Sequence, residues 1–200
     1  MSRLWIGLAT LLLCACANAP TAGTPPADTP MAAASQTAAA SAAGSCLQTT
    51  PAQTEGPYFK AGSPERTSLL VAGMSGTHLH LTGKVVHRDC TAVGHALLDF
   101  WQADASGAYD NSGYRLRGHE FTDADGNYSL DTVVPGEYPG RTRHIHVKVQ
   151  APGGPLLTTQ LYFPGESRNQ QDSIFNQSLL LSVSDSAGGK TATFAFVLGQ

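Results

Sequence analysis

The chain has 200 residues, 42% of them hydrophobic and 14% charged, with a formal net charge of -3. That is apolar enough for one folded domain and low in charge for a cytosolic protein. No run of Lys or Arg exists, which excludes the concentrated basic surface that nucleic-acid binding needs.

The chain opens with "MSRLWIGLATLLLCAC", one arginine followed by an apolar run from Leu4 to Leu13. That run is too short to span a bilayer and reads as a signal peptide over residues 1–15. Its end, "LCAC", resembles the lipobox of bacterial lipoproteins. The resemblance implies export, with lipidated Cys16 as the first mature residue and a lipid anchor as the only membrane contact, in the periplasm or at the cell surface. A plain signal peptide cut near "CANA" is the alternative. Residues 16–45 hold Ala, Thr, Pro and Ser with almost no large apolar side chain. Such a segment cannot bury enough surface to offset the entropy of ordering it, so a tether is expected. Its Pro-rich half should be extended, and its Ala-rich half has some helix propensity.

The folded domain is then expected over residues 46–200. Cys14 leaves with the signal and Cys16 carries lipid, so Cys46 and Cys90 remain. An even pair in an oxidising compartment predicts one disulfide, tying the start of the domain to the first hairpin; two free thiols are the alternative. No C-x-x-C is present, which argues against thiol redox catalysis.

Short alternating segments follow, punctuated by turns. "LHLTGKVV" (79–86) puts Leu79, Leu81, Gly83 and Val85 on one face. "ALLDFWQ" (96–102) is an apolar strand. "NYSLDTV" (127–133) follows the turn "DADG", which is too short for a calcium loop. "HIHVKVQ" (144–150), "LLTTQLYF" (156–163) and "TATFAFVL" (191–198) complete the set. Their period is two, and a short helix or turn is expected within 169–182. The fold class predicted is all-β, a sandwich of about seven or more mainly antiparallel strands with little helix.

In a strand, positions two apart share a face, so His144 and His146 point the same way while Ile145, Val147 and Val149 point the other. Two such imidazoles can converge on one ion or lie side by side on a wet sheet. Tyr109 follows an apolar strand and Tyr138 sits in the turn "PGEYPG". Each phenol can pack at the sandwich rim or meet a cation strong enough to ionise it against its ordinary pKa of about 10. Ferric ion is hard and binds anionic oxygen well. His78, His80, His87, His95 and His119 show no ordered spacing and read as surface residues, His80 being the one to check for proximity. Trp101 reads as core.

Together the stretches "TEGPYF" (54–59), "LTGKV" (81–85), "DFWQADASGAYDN" (99–111), "RGHEFTDADGNYSLDTVVPGEYPGRTRHIHVKV" (117–149) and "TTQLYFPG" (158–165) resemble the intradiol ring-cleavage dioxygenases. The resemblance implies a β-sandwich holding Fe(III) through Tyr109, Tyr138, His144 and His146, with Arg141 beside the substrate ring. It implies cleavage of catechols with O2 to muconate-type diacids, Tyr138 yielding its place and taking a proton as the diol binds. Tyr58 and Phe59 would line the pocket mouth. Gln160, on the neighbouring strand, is a pocket residue and an acceptor for the free ring nitrogen of a histidine. Two departures stand out. Thr142 replaces the proline usual after the arginine, and Tyr138 and Arg141 are only three residues apart, which implies a more open pocket. The rival readings are a non-catalytic exported module binding aromatics or glycans, and a copper or zinc protein using the two histidines. The sequence leaves oligomeric state open.

Overall fold

The computed structural model describes Cys46 and residues 48–199. The expected signal segment, the lipidated Cys16 and the tether over 16–45 lie outside the described residues. Eight strands make the fold: β1 (His78–His87), β2 (Leu97–Trp101), β3 (Arg117–Phe121), β4 (Asn127–Val133), β5 (His144–Gln150), β6 (Leu156–Tyr162), β7 (Ser182–Ser186) and β8 (Gly189–Leu198). They form two four-stranded sheets, ordered β4-β1-β8-β7 and β3-β2-β5-β6. All pairings are antiparallel except β1 with β8. Two single 3-10 turns, Ser167–Gln170 and Gln177–Leu179, lie between β6 and β7, and no α-helix occurs among the described residues.

Period-two alternation explains the layering. Leu79, Leu81 and Val85 of β1, Leu130 of β4 and Ala192 and Phe196 of β8 share one core cluster with Leu98 and Phe100 of β2, Ile145, Val147 and Val149 of β5 and Leu161 of β6. None of these side chains is more than 1% exposed, and each buried Val, Leu, Ile or Phe contributes about 1.5–3 kcal/mol. The six expected strands are all present. β3 and β7 are the additions. "RGHEF" mixes a glycine with charges and gives no apolar alternation. "SVSDS" is a short polar edge, the kind that discourages pairing with other chains.

Register positions the chemistry. Across the second sheet, Arg117 stands opposite Trp101, Trp101 opposite His146, and His146 opposite Gln160. His144 pairs with Tyr162 in the next row. This face points away from the core cluster, yet His144, His146 and Gln160 are buried. They are covered in part by a strap preceding β1. Thr50 exchanges hydrogen bonds with Val197, at 2.9 and 2.8 Å. The Thr159 hydroxyl donates to the Pro51 carbonyl at 2.7 Å, and Gln53 N–H to the Thr158 carbonyl at 2.8 Å. Gln160 Nε2 donates to the Thr54 carbonyl at 2.8 Å. The strap therefore crosses from the first sheet to the histidine face of the second.

Its start is pinned by a Cys46–Cys90 disulfide with Cα atoms 5.4 Å apart, as the cysteine count predicted. The bridge closes a loop across a sequence separation of 44. Replacing both cysteines by serine should lower the unfolding free energy by about 2–4 kcal/mol. Urea denaturation of the full chain without reductant measures this; an unchanged midpoint would contradict it.

Candidate functional site

β5 places His144 and His146 on one face, and their Nε2 atoms stand 3.1 Å apart. His144 Nδ1 lies 2.6 Å from the Thr142 carbonyl oxygen. That oxygen can only accept, so Nδ1 carries the proton and Nε2 presents its lone pair toward His146. The Trp101 ring lies flat on His146, centroids 4.7 Å apart and planes within 8°, which fixes the imidazole tilt. Gly56, at φ +70°, brings strap backbone onto the same ring; a Cβ there would stand 3.3 Å from His146 Cε1. Burial drives both imidazoles neutral. His144 is pushed down to about 4 by burial and then by the Arg141 charge. Burial and then His144 carry His146 well below its ordinary range.

Two tyrosines close on this pair. The Tyr138 ring is 5.6 Å from His144, Tyr109 is 6.4 Å from His146, and the phenol rings meet edge to face at 5.7 Å. Tyr109 lies between two aspartate-built turns. Asp104 Oδ1 accepts Ser106 and Ala108 N–H; Asp110 accepts N–H from Ser112, Gly113 and Arg115. Arg117, 2% exposed, donates Nε and Nη2 to the Asp110 carbonyl. Gly136 N–H donates to the Asp104 carbonyl at 2.7 Å, and a Cβ on Gly107 or Gly136 would collide with backbone of the other loop. These two glycines let the loop bearing Tyr109 dock against the loop bearing Tyr138.

Arg141 is the hub of the next layer. Its Nη1 donates to the Tyr138 hydroxyl at 3.2 Å and its Nη2 to Gln160 Oε1 at 2.5 Å. Its Nε pairs with Asp172 Oδ2 at 2.8 Å, the carboxylate side chain being only 1% exposed. Gln160 is thus engaged by Arg141, by Thr54 and by the Tyr162 hydroxyl at 3.0 Å. The expectation that Gln160 serves a histidine is corrected: His144 uses the Thr142 carbonyl, and His146 Nδ1 has no partner among the described residues. Cross-strand register brought Gln160 opposite His146, but its amide turns toward the guanidinium.

Tyr58 stacks on Tyr109 at 4.3 Å and meets Tyr138 edge-on at 5.8 Å. Phe59 packs on Trp101 at 4.9 Å, beneath the Lys148 ammonium. His80 lies on the other sheet, exposed and paired with Asp131 at 2.7 Å. His119 is not a plain surface residue; it is half-buried and bonds Ser63 at 3.1 Å. A separate cleft of about 790 Å³, lined by residues including Cys46, Lys84, Val86, Phe194 and Val197, shares no residue with this cluster.

A family model described as Dioxygenase matches residues 54–198. The chain belongs to the intradiol ring-cleavage dioxygenase family. It is 29% identical over 150 residues to hydroxyquinol 1,2-dioxygenase of Nocardioides simplex, a match covering 63% of this chain and 51% of that one. Catechol 1,2-dioxygenase 2 of Acinetobacter lwoffii is 34% identical over 143 residues, covering 58% and 52%. The chain thus matches about half the length of these relatives. Among solved structures, the dioxygenase domain of a dioxygenase carbohydrate-binding protein fusion from Streptomyces sp. SirexAA-E is 56% identical. It superposes with a TM-score of 0.75 over 76% of this chain and 99% of that one.

The cluster fits the trivalent iron that the family resemblance implies. No three side chains among His, Cys, Asp and Glu gather into a metal-holding group among the described residues, so any ion here must recruit other donors. The phenols are the candidates for that role. The Tyr109 hydroxyl is buried with no hydrogen-bond partner among the described residues, and burial, then Tyr138, raises its pKa further. Only a strong cation would reverse that. Two ligand nitrogens held at about 2.1 Å on one ion, roughly at right angles, stand about 3 Å apart, which matches the Nε2 pair.

Asp172 and Arg117 escaped the sequence reading. Asp172 lies 31 residues from Arg141 in a polar stretch without periodicity. Thr142 was noted as a departure, and the structure explains it. Its N–H donates to Asp172 at 3.0 Å and its hydroxyl to Asn169 at 2.7 Å; proline would supply neither.

Both histidines are depressed below their unfolded value, so the unfolded chain binds more protons as pH falls. The stability they contribute is present above about pH 6.5 and is lost as pH drops toward the folded value of His144, about 4. By pH 5 His144 alone should cost the metal-free protein on the order of 2 kcal/mol. Urea titrations at pH 7 and pH 5 test this, and the His144→Asn/His146→Asn double variant should flatten the dependence.

Proposed function

We propose that this domain opens catechol-type rings between their two hydroxyl-bearing carbons with O2, at a ferric ion held by Tyr109, Tyr138, His144 and His146. The observation that carries this is the meeting of two buried neutral imidazole nitrogens with two phenols, one of them unpartnered. Two phenolates offset two of the ion's three charges, which matters where water is partly excluded. When bound, the ion supplies a Lewis-acid centre that holds the diol as its catecholate and makes the ring reactive toward O2. A module that merely binds aromatics would need no such donor set.

The chain's own groups do the rest. Tyr138, whose oxygen accepts from Arg141, would be one of the two phenols holding the ion and the group placed to accept a proton from the diol. Arg141 then faces the charge that develops near the ring. Tyr58, against both phenols, and Phe59 border the approach, and Gln160 accepts from Nη2 of Arg141. The products are muconate-type diacids. We further propose that the domain works outside the cytoplasm on a lipid anchor at Cys16. The disulfide agrees with an oxidising compartment.

Oxygen uptake by iron-loaded protein against a panel of catechols, with product identification, tests the reading. Uptake with ring-opened diacids is expected. No uptake despite bound ferric ion would reject it. Tyr138→Phe should bleach or shift the tyrosinate-to-ferric visible band. Arg141→Gln should lower kcat by about a hundredfold or more.

A further inference from the structure

The site has a second ring of contacts in which one carboxylate oxygen serves two masters. Asp172 Oδ2 accepts Nε–H of Arg141 at 2.8 Å and the backbone N–H of Thr142 at 3.0 Å. Its Oδ1 accepts Ile174 N–H at 3.1 Å. The carboxylate is therefore fixed from its own segment on one side and reads two neighbours on the other. Each neighbour leads directly to the site. Arg141 carries Nη1 to the Tyr138 hydroxyl and Nη2 to Gln160. Thr142 carries its carbonyl to His144 Nδ1. A guanidinium is planar, so fixing Nε sets where both Nη atoms point. The same oxygen also holds the Arg141–Thr142 peptide through its N–H, anchoring the backbone next to the carbonyl that selects the His144 tautomer.

We infer that Asp172 is a positioning residue of the reaction: through one oxygen it indexes Arg141 to Tyr138 and, through Thr142, to His144. This rests on the ring-cleavage reading above. Asp172 itself touches neither phenol nor imidazole and is no catalytic residue. Asn169 provides the contrast. It sits in the same turn region, is 8% exposed, and joins the Thr142 hydroxyl to the Phe163 carbonyl. It supports the segment without touching Arg141.

The test uses Asp172→Asn, Asp172→Glu and Asn169→Ala in the full chain, each alone and combined with Arg141→Lys. In the metal-free protein, nitrogen-15 NMR reads exchange at the Arg141 side-chain Nε–H. It should be protected in the parent and in Asn169→Ala, and lose protection in Asp172→Asn. In the iron-loaded protein, Asp172→Asn should lower kcat about a hundredfold, as misplacement of a reacting group does, with KM within about threefold. Asp172→Glu keeps the charge at a longer reach and should fold, yet restore only part of kcat. The Asp172→Asn/Arg141→Lys pair should lose clearly less than the two single losses combined, because one of the two arms of Asp172 acts through that guanidinium. Asn169→Ala should instead lower stability and combine additively.

Protected exchange in Asp172→Asn, or additive losses with Arg141→Lys, would overturn the inference. If the parent protein consumes no oxygen with any catechol, the ring-cleavage reading fails. The exchange measurement still decides whether Asp172 positions Arg141.

Discussion

Two neutral imidazoles face each other across 3.1 Å inside the protein, and the rest of the site is arranged around that constraint. In water such a pair would protonate or turn apart. Here burial removes the first escape. Strand geometry and the Trp101 ring remove the second. What remains is two ring nitrogens turned toward one another. With the phenols beside them they make up the donor set proposed for one hard ion, in which no carboxylate or thiol takes part.

Making that pair requires covering the outer face of a sheet. In a two-layer sandwich one face of each sheet meets the core and the other is ordinarily wet. This chain buries the histidine row by laying a strap over it, from Thr50 on the first sheet to Phe59 above Trp101. The disulfide fixes where that strap begins. Stability and function meet in this segment, since it supplies both backbone pairing to β6 and aromatic contact to Tyr109.

Much of this was legible in the sequence. The alternation of "LHLTGKVV" and "HIHVKVQ" set both strands and the faces of their residues. The H-x-H spacing put the imidazoles together. The resemblance brought Tyr109, Tyr138 and Arg141 to them, and the geometry collects all three at one place. What escaped lies in partner choice. Gln160 was expected on a neighbouring strand as a histidine's acceptor; it stands opposite His146, but its amide serves Arg141, because the guanidinium's fixed fork offers a stronger donor than an imidazole already stacked on Trp101. Asp172 gave no signal, since a lone aspartate in a polar turn looks like any surface carboxylate until the fold sets it beside a cation. Thr142 was visible only as a missing proline; its value is an N–H whose acceptor lies 30 residues away.

The central claim is that a single trivalent iron joins two imidazoles and two phenolates. X-ray absorption at the iron edge of ferric-reconstituted, substrate-free protein reads that shell directly. The account predicts one iron per chain with two histidine scattering pathways and two short oxygen bonds, one of which disappears in Tyr109→Phe. A shell without imidazole scattering, or one indifferent to loss of the Tyr109 hydroxyl, would contradict it.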